Sequence, residues 1–241
     1  MSSLKLFLAV VMVLGGYGQC HAATAPMPET HAAQTTIVSR NGLQLNFNPE
    51  GKITAILAGK RNITAAAAIS SSGLQLRSMD EPDRDLPLES IIIPKTAGMK
   101  QHFKSPGEQL HGELLFLRYE DYFRVTGRII SKAPHDRGVI VTFRLPVDAI
   151  GWNWADVVEQ SQTIARTGTR YSGGHPFDPR AFLVDGNQEN INDRGNPAPF
   201  YRQTNSFCSA IWGPDAGLSL AIPRDQFRMV DMAYDVNNQT Y

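Results

Sequence analysis

The sequence predicts an all-β fold, an antiparallel two-sheet sandwich or supersandwich that carries one long irregular loop. Three observations lead there. Short runs of alternating apolar and polar residues recur along the chain, roughly a dozen of them, at strand length and with the two-residue period of a strand. Clusters of Gly, Pro, Asn and Asp separate most of those runs, and no apolar stripe with helical spacing is long enough to make an extended helix. With no internal repeat and no break in composition, a chain of 241 residues fits one all-β domain.

Residues 1–22 stand apart from that domain. Lys5 precedes an unbroken apolar run from Leu6 to Leu14, after which come Gly15, Gly16 and Gly18 and then Cys20, His21 and Ala22. This is the three-part layout of a secretory signal peptide, with cleavage expected after Ala22. The apolar run is shorter than the ~20 residues a membrane-spanning helix needs. A lipid-anchored alternative would use Cys20, but Gln19 is bulkier than that processing normally accepts. The mature protein is therefore expected to be secreted or periplasmic, with no membrane attachment. Residues 23–35, rich in Ala, Pro and Thr, read as a flexible lead-in, and 36–241 as the single sandwich domain.

Within the domain the first strand is expected at Thr36, Ile37 and Val38. Leu43, Leu45 and Phe47 then alternate with Gln44, Asn46 and Asn48. The turn Asn48-Pro49-Glu50-Gly51 makes a hairpin with the run 52–57, because proline presets φ and glycine accepts a positive one. Ile53 and Leu57 reach opposite faces only if Ile56 marks a bulge. Four alanines at 65–68 are too short a run to nucleate a helix. Alternation returns at 74–77. Residues 79–87, charged and interrupted by Pro82 and Pro87, read as a surface loop. Ile91-Ile92-Ile93 is a short buried strand stopped by Pro94. A second hairpin joins 109–118 to 122–131 around Glu120 and Asp121, with Phe123, Val125, Gly127 and Ile129 on one face.

After a turn at 134–138, Ile140, Thr142 and Arg144 alternate with Val141, Phe143 and Leu145 until Pro146 ends the strand. One or two helical turns are expected over 154–160. From 167 to 203 almost no period is visible, and a loop of that length is functional or disordered in a compact domain. A third hairpin joins 207–212 to 217–222, and 227–236 reads as the last strand. Strand-like sequence runs close to Tyr241, so the natural polypeptide is expected to continue beyond it.

Composition removes several function classes. Lys plus Arg and Asp plus Glu number 23 each, so no net field exists to gather nucleic acid. Once cleavage removes Cys20, Cys208 is alone; neither a disulfide framework nor a cysteine metal cluster can form, and Cys208 reads as a small buried residue. No paired-histidine, calcium-loop, phosphate-cradling or nucleophile-elbow pattern is present, so neither metal nor cofactor is expected.

The chemistry that remains lies in and after the stretch 139–174. Trp152, Asn153, Trp154 and Asp156, followed by Tyr171, have the composition of a ligand site for sugars: an indole carries the apolar face of a pyranose ring, while amides and carboxylates read its hydroxyls. The competing account is structural. Two tryptophans at alternate positions of an extended segment point the same way, and both can fill the core. Cutting a glycosidic bond needs two carboxyl groups about 5–9.5 Å apart; Asp148, Asp156, Glu159, Asp178 and Asp185 are near one another in sequence, with no spacing that selects a pair. His175, in Gly173-Gly174-His175-Pro176, has an imidazole that titrates near neutral pH. It and Asp156 are the catalytic candidates, against the reading that both are ordinary loop residues.

The run Phe143-Arg144-Leu145-Pro146-Val147-Asp148-Ala149-Ile150-Gly151-Trp152-Asn153-Trp154, with Tyr171 after it and Gly217-Leu218-Ser219-Leu220-Ala221-Ile222-Pro223 followed by Tyr234-Asp235, resembles the N-terminal β-sandwich region of large secreted bacterial glycoside-hydrolase-like proteins. In those proteins a galactose-mutarotase-like supersandwich precedes a separate catalytic domain. The resemblance covers most of the mature chain. It implies a module that is structural or carbohydrate-binding, not catalytic by itself, with a carbohydrate and a downstream catalytic domain as partners, and it brings no catalytic residue to any position here. The alternative is a free-standing carbohydrate-active enzyme on the same sandwich, a sugar epimerase or polysaccharide lyase, in which His175 and a nearby acid exchange the proton.

Overall fold

A computed structural model describes residues 3–10, 34–134, 138–156, 161–172, 208–222 and 231–241. Across them the chain is all-β. In order come β1 (Ser3–Val10), β2 (Thr35–Val38), β3 (Leu43–Phe47), β4 (Ile53–Ala58), β5 (Arg61–Asn62), β6 (Gly73–Ser78), β7 (Glu81–Asp85), β8 (Glu89–Lys95) and β9 (Gly98–Ser105). There follow β10 (Leu110–Arg118), β11 (Phe123–Ser131), β12 (Val139–Arg144), β13 (Asn153–Ala155), β14 (Gln162–Thr163), β15 (Arg170–Ser172), β16 (Cys208–Trp212), β17 (Gly217–Ala221) and β18 (Ala233–Asp235). Every pairing among them is antiparallel.

The strands form four sheets where the sequence predicts two. Nine strands run in the order β14-β13-β16-β17-β1-β11-β10-β9-β8; the others are β12-β6-β7, β15-β18 and β2-β3-β4-β5. One apolar core joins them. Phe47 of the four-stranded sheet meets Phe116 of the nine-stranded sheet edge-on at 5.3 Å, and Phe116 meets Phe143 of the three-stranded sheet at 5.7 Å. Leu45, Ile56, Leu76, Leu114, Val125, Ile211 and Leu218 fill the space between. Each such side chain contributes ~1.5–3 kcal/mol by leaving water, so the alternating apolar positions read in the sequence are what hold the sheets together.

The three expected hairpins are present as β3–β4, β10–β11 and β16–β17. In the first, the Asn48 side chain accepts from the Lys52 amide at 2.8 Å and Gly51 adopts φ +81°, the two features its turn requires. A bulge does fall in β4, but at Thr54 and not at Ile56: Asn46 faces Ala55 while Phe47 faces Ile53. The skipped residue is what lets Ile53 and Ile56, three apart, both face inward.

Other expectations are corrected. The charged segment 79–87 contains β7, whose Asp85 carboxylate takes an ion pair from Arg77 of β6 at 3.2 Å, so cross-strand charge pairing replaces apolar alternation there. The isoleucine strand, β8, is the outer strand of its sheet, with Ile91 66% exposed and Pro94 inside it, a place proline is tolerated because one side of an edge strand has no ladder to join. The alanine run continues into a 3₁₀ turn, Ala66–Ser71. Cys208 is exposed, because Ser209 and Ile211 take the inward positions of β16 and leave it on the outer face. Trp154 and Ala155, where helical turns were expected to begin, belong instead to strand β13; 157–160, the turn at 135–137 and most of the long loop, 173–203, lie outside the described residues.

β1 was not anticipated. It lies in the stretch expected to be a cleaved leader, and its backbone pairs with β11 from Ser3 opposite Ile130 to Val10 opposite Phe123, meeting β17 at Ala9 opposite Ala221. In the uncleaved chain it therefore fills the space between those two strands.

Candidate functional site

The stretch after Pro146 is anchored from below. The Tyr234 hydroxyl donates to the Val147 carbonyl at 3.0 Å and accepts from the Ala149 amide at 3.3 Å. Burial raises the pKa of that phenol, with the nearby Asp148 and Asp235 carboxylates adding to the rise and the Ala149 hydrogen bond opposing it. Gly151, at φ +84°, then turns the chain into β13.

Strand parity divides the sugar-site candidates. Trp152 is 6% exposed and Trp154 1%, and both belong to the apolar core. An indole so covered has no face on which a pyranose can lie. The Arg61 guanidinium stands 5.8 Å from the Trp152 ring centroid and is held by Asp215 at 2.5 Å. Asn153, between the tryptophans, points the other way. Tyr171 is half-buried against the core margin and its hydroxyl accepts from the Ala165 amide at 2.7 Å. Asp156 is half-buried and near enough to Tyr241 to add to the upward pKa shift that burial imposes on that phenol. Asp148 is exposed. His175, Glu159, Asp178 and Asp185 lie outside the described residues.

The outward face of β13 carries a row in which Asn153 was expected from the sequence, while its neighbours Thr163 and Trp212 were missed. Asn153 pairs with Thr163 on one side and with Trp212 on the other. The Thr163 hydroxyl donates to the Asn153 side-chain oxygen at 3.3 Å, and Trp212 is 37% exposed. Gly217, opposite Trp212, and Ala210 add no bulk to this face. The available signal was parity: Trp212 alternates with the apolar Ile211 in a hairpin that the sequence shows plainly.

A second feature, this one concave, lies across the molecule's smaller sheets. Gly73, at φ +76°, lets the Gly51 carbonyl approach to where a Cβ would stand 2.6 Å away, so the β3–β4 turn rides against β6. That contact brings Lys52 to the β6–β12 ladder, whose polar face presents Gln75 opposite Thr142 and Arg77 opposite Ile140, with Arg144 at the end opposite Gly73. The resulting cleft has a volume of about 460 Å³. Leu74, Leu86, Pro87 and Leu88 form its apolar side; Lys52, Gln75, Asp85 and Arg144 form its polar side. The Lys52 ammonium donates to the Ser72 carbonyl at 3.2 Å. Gln75 is 8% exposed, and its amide donates to the Ser71 carbonyl at 2.7 Å while its side-chain oxygen has no hydrogen-bond partner among the described residues.

Burial holds the Lys52 ammonium below its ordinary pKa, with Asp85 opposing the shift and Arg144 reinforcing it. Burial does the same to the Arg144 guanidinium; Asp85 and Asp235 oppose it, and Arg77 and Arg170 reinforce it. Two cations are thus being desolvated beside one carboxylate that Arg77 already shares. Among the described residues no group of three His, Cys, Asp or Glu side chains is placed to hold a metal ion, and no helix is long and apolar enough to cross a membrane.

Compared with known proteins, the sequence matches no family model and no curated protein.

Proposed function

We propose that this chain is an exported carbohydrate-binding module, built on a galactose-mutarotase-like supersandwich and acting beside a catalytic domain of a glycoside-hydrolase-like protein. The observation that carries the reading is the row Thr163–Asn153–Trp212 on the outer face of the nine-stranded sheet. A part-exposed indole beside the Asn153 amide, with the Thr163 hydroxyl on the strand beyond and Gly217 and Ala210 keeping the surface flat, offers a stacking face and the hydrogen-bonding groups that orient a sugar. The interlocked Phe47, Phe116 and Phe143 rings, which join three sheets through one core, support the packing of antiparallel sheets on one another that such a fold requires. The leader-like start of the sequence, Lys5 through Ala22, supports the export part.

Calorimetric titration and a glycan array on the purified chain test it. At least one neutral oligosaccharide is expected to bind, and Trp212→Ala to weaken it about tenfold or more, since stacked aromatic anchors dominate such sites. Binding that persists unchanged in Trp212→Ala, or no binding to any glycan, overturns the proposal.

A further inference from the structure

The cleft bounded by Lys52, Gln75, Asp85 and Arg144 is distant in kind from the Trp212 row: it is concave, partly apolar and cationic. We propose that it is a second binding site, for a hydroxylated carboxylate of the uronic-acid class. The sugar part of this assignment rests on the carbohydrate reading above; the anionic part does not.

Four features of the cleft point to that chemistry. Lys52 and Arg144 form no ion pair among the described residues, although each is half-buried. Removing a cation from water without a counter-ion is unfavourable, and a bound anion is what removes the penalty. Their neighbours offset only part of the charge: Asp85 is shared with Arg77, and Asp235, whose carboxylate accepts from neutral Asn238, acts on Arg144 but not on Lys52. The Gln75 side-chain oxygen is a buried acceptor without a donor, so the ligand should bring an O–H as well as a negative charge. The leucine and proline side then fits the apolar face of a ring, and about 460 Å³ is within the range of small-molecule sites. A bare inorganic anion would use the cations alone and leave the other two walls idle.

The carboxylate belongs between the Arg144 guanidinium and the Lys52 ammonium, where charge-assisted hydrogen bonds are strongest. A ring hydroxyl donates to Gln75 Oε1. Asp85 tempers the site, because its negative charge opposes the ligand's.

Titration of the whole chain with digalacturonate, with galactobiose as the neutral form of the same sugar and with acetate as the bare anion, tests this. Digalacturonate is expected to bind, to weaken about tenfold or more in Arg144→Gln and in Lys52→Gln, and to be unaffected by Trp212→Ala. Asp85→Asn should tighten it, a change of opposite sign that loss of folding cannot imitate. Raised salt should weaken it. The proposal is overturned if galactobiose competes for the cleft as well as digalacturonate does, if acetate displaces it at equal concentration, if Arg144→Gln binds normally, or if digalacturonate does not bind. Failure here with retained Trp212-dependent binding of a neutral glycan removes the acidic site and leaves the module reading standing.

Discussion

Replacing Trp154 with alanine should cost several kcal/mol of stability, whereas phenylalanine should cost almost nothing. Trp154 is 1% exposed, and truncating so buried an aromatic costs ~3–5 kcal/mol, the lost transfer free energy plus the cavity left behind. Its Nε1 is buried with no hydrogen-bond partner among the described residues. An unmade bond of that kind costs about 1–3 kcal/mol. Phenylalanine keeps one ring, loses about two methylene equivalents of burial at ~0.8 kcal/mol each, and deletes the orphaned N–H. The two effects nearly cancel, leaving a net change within about 1 kcal/mol. In equilibrium urea unfolding, with a slope of about 2 kcal/mol per molar, Trp154→Ala, credited with about 1 kcal/mol for deleting the same N–H, should lower the midpoint by roughly 1–2 M and Trp154→Phe by under about 0.5 M. A phenylalanine variant as unstable as the alanine one refutes the account of Nε1. An alanine variant that keeps its midpoint and loses glycan binding instead would make Trp154 a ligand surface and not a core residue.

Two further predictions concern the nine-stranded sheet. Glu113 of β10 is held below the ordinary carboxylate range, chiefly by the Lys100 hydrogen bond at 2.6 Å against a smaller opposing effect of burial, with Arg128 at 3.2 Å and His102 at 3.9 Å adding to the shift. Its folded pKa lies below its unfolded one, so its contribution is present above the unfolded value of about 4.3 and is lost as pH falls through the folded value. Glu113→Gln should therefore be less stable than the native chain at pH 7, with the gap closing below about pH 4; a gap that does not change with pH would exclude this linkage. For β1, removal of residues 1–22 should leave the β11 amides that face it exchanging like those of an open edge, while the uncleaved chain protects them. Equal protection in both forms, read by hydrogen exchange with mass spectrometry, would show that β1 does not hold that place.

The hairpins were legible because each rests on local chemistry: a turn of fixed type between two alternating runs, as at Asn48 to Gly51. Sheet membership was not. Whether β6 joins β12 or β3 depends on long-range pairing, and the charged strand β7 shows no apolar alternation because its stabilisation comes through Arg77 and Asp85 across the ladder. The cleft was invisible for the same reason. Lys52, Gln75, Asp85 and Arg144 come from four separate segments, and only the register Thr142 opposite Gln75 and the close approach at Gly73 bring them together. Arg144 was visible as the polar end of an alternating strand, but nothing local says that its partner strand also turns amide and guanidinium side chains to that face.

The expected sugar site shows how the right stretch of sequence and the wrong face can coexist. Composition drew notice to Trp152 and Trp154, yet the two-residue period that makes them point together also makes them point away from Asn153. Once β13 pairs with β16, Ile211 falls opposite Trp154 and Trp212 opposite Asn153. Apolar Ile211 joins the core, so the whole Trp154 row goes inward with it, and the indole left outside is the one from the other strand. A one-residue slip between β13 and β16 would exchange the two faces. The choice between tryptophans is therefore made by Ile211, Leu218 and Leu220, the apolar side chains of the neighbouring hairpin whose burial fixes the register, and not by the stretch in which the candidate tryptophans lie.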